Sequence, residues 1–100
     1  MIIADITVVP VGTGSASLSA YVAEIQKRLK QAGFEPILHA MGTIVEDARI
    51  ERVLEAVKVA HEAAFEAGAV RVVTAVKIDE RRDKKGSVQQ KLHSVQEKLQ

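Results

Sequence analysis

The sequence predicts an α+β fold: a four-stranded antiparallel sheet with helices on one face, in the order βαββαβ, followed by one more helix. Three observations lead there. The stretch Arg71-Val-Val-Thr-Ala-Val-Lys-Ile-Asp-Glu-Arg-Arg82 alternates, so it reads as a strand with two unlike faces. Val72, Thr74, Val76 and Ile78 form one face; Arg71, Val73, Ala75, Lys77, Asp79 and Arg81 form the other. Residues 2–11 alternate in the same way, and two helical periodicities, closed by Gly33 and Gly68, follow the first and third strands.

The first strand, Ile2 to Val11, puts Ile2, Ala4, Ile6 and Val8 on one face and Ile3, Asp5, Thr7 and Val9 on the other, with Pro10 ending the ladder. Gly12-Thr-Gly-Ser-Ala-Ser17 is a loop able to approach a ligand closely. The first helix is expected from Ser17, as N-cap, to Ala32, with the stripe Leu18, Val22, Ile25 and Leu29. Pro36 to Ala40 and Thr43 to Asp47 are short strands joined by a tight turn at Met41-Gly42. Leu38 and Ile44 are the expected core residues there, with His39, Thr43 and Val45 on or near the opposite face.

The second helix spans about Ala48 to Ala67 and offers Ile50, Val53, Leu54, Val57, Ala60, Ala64 and Phe65 as its buried stripe. After the fourth strand comes the charged loop 80–86, then a third helix. Ser87 with Gln90 forms its capping box, and Val88, Leu92, Val95 and Leu99 form a single narrow stripe. Two split βαβ halves with right-handed crossovers give a ferredoxin-like sandwich, strands 1 and 3 central. One sheet face is then left open, carrying Ile3, Asp5, Thr7, Val9, Val45, Val73, Ala75 and Lys77. A face this apolar favours covering by a second copy of the chain, as a dimer or tetramer, over a monomer, although helix 3 could cover part of it.

One hundred residues make one domain, and 47% hydrophobic with 27% charged residues is the balance of a globular chain. A net charge of +1 provides no long-range field for nucleic acid or an anionic membrane. Absence of cysteine excludes disulfides and thiolate metal sites. The start Met1-Ile-Ile-Ala-Asp-Ile6 lacks a basic leader and no apolar run is long enough to span a bilayer, so a cytoplasmic location is expected.

The chemical motifs are incomplete. Gly12-Thr-Gly-Ser-Ala-Ser17 has Ser17 where a dinucleotide fingerprint needs its third glycine, though the helix N-terminus after it could meet a polar or anionic group. His61-Glu-Ala-Ala-Phe65 has Phe65 where a zinc-protease helix needs its second histidine, and His39, His61 and His93 are scattered; no metal or cofactor is expected. RNA recognition on such a sheet needs strand aromatics, but Tyr21, Phe34 and Phe65 all lie off the strands. No nucleophile–base pair or paired carboxylate stands out, so an enzyme is not expected. Glu46, Lys77, Asp79 and Arg81, with Thr43, Ser17 or Ser19 as hydroxyl donors, are either a binding site at one edge or a salt-bridge network at a subunit contact.

Four runs in order carry a resemblance: Pro10-Val-Gly-Thr-Gly-Ser-Ala-Ser-Leu-Ser-Ala-Tyr-Val22, Met41-Gly-Thr-Ile-Val-Glu46, Arg71–Val73 with Lys77-Ile-Asp-Glu-Arg81, and Lys91-Leu-His-Ser-Val95. Together they resemble the small thiamine-binding protein family, relatives of the YkoF type, over nearly the whole chain. The resemblance implies a ferredoxin-like domain assembling through its sheets and binding thiamine or its hydroxymethylpyrimidine moiety without catalysis. It also implies ligand-binding positions at Ser17, Ser19, Tyr21, Thr43, Glu46, Lys77, Asp79 and Arg81. Ala40 and Asp47 depart from the family's usual proline and glycine, and the bulk and charge of Asp47 could alter the mouth of the site. Within that reading Glu46 and Asp79 supply a carboxylate, Thr43 and Ser19 hydroxyls, and Tyr21 an aromatic face. Two other readings stay open: a regulatory or scaffold oligomer binding an anion or protein partner at the charged end of strand 4, and a small enzyme using Lys77 and Asp79 as acid and base.

Overall fold

The computed structural model describes residues 1–100. Its elements are β1 (Ile2–Pro10), α1 (Ser19–Gln31), β2 (Ile37–His39), β3 (Gly42–Asp47), α2 (Ile50–Glu66), β4 (Val72–Asp79) and α3 (Val88–Leu99). The strands form one antiparallel sheet in the order β2-β3-β1-β4. This is the ferredoxin-like arrangement expected from the sequence, with β1 and β3 central and an added C-terminal helix.

β1 sets the two faces because it is paired on both sides. Ile3 stands between Glu46 and Asp79, Asp5 between Ile44 and Lys77, and Ile6 between Thr43 and Val76. Directly opposed residues share a face. Ile2, Ala4, Ile6 and Val45 lie under the helices, buried with Ile25 and Leu29 of α1 and Val53, Ala56, Ala60 and Ala63 of α2. The alanine stripe of α2 lets that helix lie close over the sheet, so the core is built from small side chains on one side and Ile and Leu on the other.

The glycine after α1 does what the sequence suggests. Gly33 adopts φ 91°, and the Phe34 N–H donates to the Leu29 carbonyl at 3.0 Å while the Gly33 N–H donates to that of Lys30 at 3.1 Å. This Schellman closure turns the chain so that Phe34 is buried, with the Arg52 guanidinium 4.1 Å above its ring.

Several local expectations are corrected. β3 presents the opposite face: Val45 and Thr43 are buried at 2% and 5% exposure and Ile44 joins the open face, while Leu38 of β2 keeps the helix-side face opposite Thr43 but is exposed rather than core. The cause is register, since Val45 stands opposite the buried Ala4 and Thr43 opposite the buried Ile6. α1 begins at Ser19, with Leu18 in the N-cap position and no side-chain cap; the Ser17 N–H is held instead by Ser15 Oγ at 3.1 Å. The hairpin turns at Ala40 and Met41, with His39 paired to Gly42. Gly42 is needed for close approach, because a Cβ there would lie 2.8 Å from the Ile6 carbonyl oxygen and 3.0 Å from Thr7 Oγ1. On α2, Ala56 and Ala63 occupy core positions, and Ile50, Leu54 and Phe65 stay exposed.

α3 is attached rather than packed. None of its residues is buried, and Leu92, Val95 and Leu99 of its apolar stripe are exposed. Ser87 caps it as expected, accepting from the Gln90 N–H at 3.1 Å. The Val88 N–H donates to Glu46 Oε2 at 3.0 Å, and Lys91 Nζ meets Asp79 Oδ2 at 2.5 Å. Glu46 and Asp79 flank Ile3, so the helix is anchored by charges on the open sheet face. The radius of gyration, 14.7 Å, exceeds the ~13 Å of a compact chain this long, in line with a projecting helix.

Candidate functional site

α1 and the β2–β3 hairpin diverge where the hairpin is short, and the gap is a cleft. At its C-terminal end α1 is driven into the core by Ile25 and Leu29, whereas Leu18 and Val22 at the other end are only half-buried. Facing them, Leu38 shares the helix-side face with Thr43, its partner in register. The cleft between measures about 360 Å³, with Ile6, Val8 and Thr43 beneath and Leu18, Val22 and Leu38 along its sides. A shallower hollow continues it outward past Ser19 and Ala23. This is the size of a small-ligand pocket.

Its polar content is sparse and placed. No Asp, Glu, Lys or Arg lines the cleft or the hollow. Thr43 is the one buried polar side chain of the protein, and Gln26 Nε2 donates to its Oγ1 at 2.8 Å. His39 borders the cleft but turns its ring away: Nε2 lies 2.8 Å from Asp5 Oδ1 on the open face, and Nδ1 accepts the Met41 N–H at 3.2 Å. The cleft therefore suits a small, uncharged, largely apolar group with a polar edge.

The sequence-derived residues divide into two groups. Thr43 lines the cleft, Ser19 lines its outer hollow, and Ser17 stands beside Ser19 with the two hydroxyl oxygens 3.4 Å apart. Tyr21 lies outside it, on the α1 flank that continues through Arg28 to an ion pair with Glu66 of α2. Glu46, Lys77 and Asp79 sit on the opposite sheet face. Glu46 is three residues from Thr43 along β3, roughly 10 Å. Glu46 and Asp79 already hold α3. Arg81 donates twice to Asp83, at 2.8 and 2.6 Å, and this pairing draws the Asp83 carboxyl down to about 2. A pocket combining Glu46 or Asp79 with Thr43 and Tyr21 is thus not assembled within one chain.

Gln26 was not singled out in the sequence, although one signal was present. It lies four residues after Val22 and beside Ile25, a polar position at the margin of the α1 stripe where a side chain reaches along the sheet.

The family model for thiamine-binding protein matches residues 4–96. The chain belongs to the thiamine-binding protein family. It is 46% identical to the UPF0045 protein of Methanothermobacter thermautotrophicus, over 99% of this chain and 100% of that one. The UPF0045 protein YqgV of Bacillus subtilis is 39% identical, over 100% of this chain and 99% of its own. Among solved structures, the hypothetical protein from Methanocaldococcus jannaschii superposes with a TM-score of 0.84 at 34% identity, covering 96% of each chain. A candidate thiamine biosynthesis/salvage protein of Thermotoga maritima shares the fold, with a TM-score of 0.73 at 21% identity over 94% of this chain and 97% of that one.

Proposed function

We propose that this member of the thiamine-binding family is a non-catalytic, self-associating binder of thiamine or its hydroxymethylpyrimidine moiety, serving as a carrier or sensor and needing no cofactor. The observation that carries the reading is the uncharged cleft between α1 and the hairpin, with Thr43 as its one buried polar group and Gln26 bonded to it. An aminopyrimidine ring is flat, neutral and edged with donors and acceptors, and buried polar groups need such partners. The thiazolium cation has no carboxylate to meet inside the cleft, so it projects through the outer hollow past Ser19. Self-association is supported by the open sheet face and by the exposed Leu92, Val95 and Leu99 of α3.

Calorimetric titration with hydroxymethylpyrimidine, thiamine and thiamine diphosphate tests the reading. Saturable binding of hydroxymethylpyrimidine near one ligand per chain is expected, and absence of binding by all three contradicts it.

A second reading has one observation in its favour. A hollow of about 380 Å³ between the 80–86 loop and α3 is lined by Arg81, Lys84, Lys85, Lys91 and Lys98, and could receive an anion or an acidic partner. Under this reading phosphate raises the melting temperature and thiamine does not.

A further inference from the structure

We infer that Gln26 is the residue that reads the ligand's ring edge, and that Thr43 positions it. The inference rests on the proposed binding of an aminopyrimidine in the cleft and adds which side chain selects it. Gln26 Nε2 uses one hydrogen on Thr43 Oγ1 at 2.8 Å. Its second Nε2 hydrogen and its Oε1 make no hydrogen bond to protein, and Oε1 is open to solvent from the cleft side rather than buried. A primary amide with one acceptor and one donor side by side is complementary to an amino group beside a ring nitrogen. The same pairing lets Gln and Asn read adenine in DNA. No charged side chain lines the cleft to compete for that edge, and the apolar side chains of Val22 and Leu38 leave the ring faces without polar contacts.

Thr43 acts through Gln26. Its side chain is buried, with the backbone beneath it fixed by pairing on both sides, to Ile6 and to Leu38. A hydroxyl anchored in a central strand holds the long, otherwise mobile Gln26 side chain in one rotamer across the cleft, lowering the entropy cost of pairing with a ligand. Thr43 is therefore a positioning residue, and Gln26 a specificity residue.

The test compares affinities for hydroxymethylpyrimidine and for its analogue lacking the amino group, in the wild type, Gln26→Met, Thr43→Val and Thr43→Ser, with melting temperatures as a folding control. The wild type is expected to prefer the amino compound by roughly tenfold to a hundredfold. Gln26→Met, which keeps length and loses both polar atoms, brings the ratio near unity. Thr43→Val lowers the ratio and Thr43→Ser restores it. A ratio unchanged in Gln26→Met, with hydroxymethylpyrimidine still bound, overturns the role of Gln26 and leaves the ligand reading intact. Failure of the wild type to bind hydroxymethylpyrimidine overturns the ligand reading and this inference with it.

Discussion

His39 donates from Nε2 to Asp5 Oδ1 across 2.8 Å, spanning from the edge strand β2 to the central strand β1 over Gly42 of β3. The Met41 N–H fixes the ring nitrogen that is left, because Nδ1 must accept it and Nε2 therefore carries the hydrogen. Thr7 adds a hydroxyl bond to the Met41 carbonyl at 3.2 Å, so the turn is tied to β1 twice. With a side chain at 42 these contacts would be obstructed, since its Cβ would fall 3.2 Å from Asp5 Oδ1.

Replacement of Gly42 is accordingly expected to be costly. Gly42→Ala should lower stability by about 1–3 kcal/mol, the usual cost of overpacking, because the nearest atom is backbone and cannot rotate aside. Denaturant unfolding measures it; a midpoint equal to that of the wild type would show that β1 and β3 separate without penalty.

The core is expected to be sensitive at Leu29, which is 0% exposed and central to the α1 contact. Leu29→Ala should cost about 2–5 kcal/mol. Leu54→Ala, at an exposed position of α2, should cost under about 1 kcal/mol. Equal losses at the two sites would contradict the observed facing of these helices.

The charged loop offers a pH prediction. Arg81 draws the Asp83 carboxyl from near 3.8 to about 2, so the folded state binds this proton less readily than the unfolded chain. The pair's contribution is complete above the unfolded value and fades as pH falls from about 4 toward 2. Both side chains are exposed, so the effect on stability is small. NMR titration of the Asp83 carboxyl should report the depressed value, and Arg81→Met should return it to the ordinary range; the same midpoint in both proteins would remove Arg81 as the cause.

α3 is anchored by Glu46, and Leu92, Val95 and Leu99 of its apolar stripe are exposed. Glu46→Gln should speed amide exchange at Val88 while leaving exchange in β1 unchanged, since only the carboxylate holding the first turn is weakened. Leu92→Asp should reduce the mass measured by sedimentation if the stripe lies between copies. A wild type that sediments as a monomer would contradict the proposed self-association.

Much of this architecture was legible because its signals are local. Alternation in residues 2–11 and 71–82 and the glycines at 33 and 68 mark elements whose ends depend on their own residues. The facing of β3 was not legible, because Ile44 and Val45 are adjacent and both apolar; pairing with Ala4 decides between them. The candidate cleft was legible only in part. Ser19 and Thr43 stood out as hydroxyls in the family's runs, but Gln26 reaches Thr43 over 17 residues, and Glu46 reaches Val88 over 42. Such contacts exist only once the sheet is assembled, which is why the sequence did not reveal that Glu46 and Asp79 hold α3.

The most direct measurement is calorimetric titration of the wild-type protein with hydroxymethylpyrimidine. Saturable heat near one ligand per chain is expected, with comparable binding of thiamine if its cation projects from the cleft as proposed. Absence of heat, together with a melting temperature raised by phosphate and unmoved by thiamine, would contradict the cleft as the binding site and shift attention to the basic hollow beside α3.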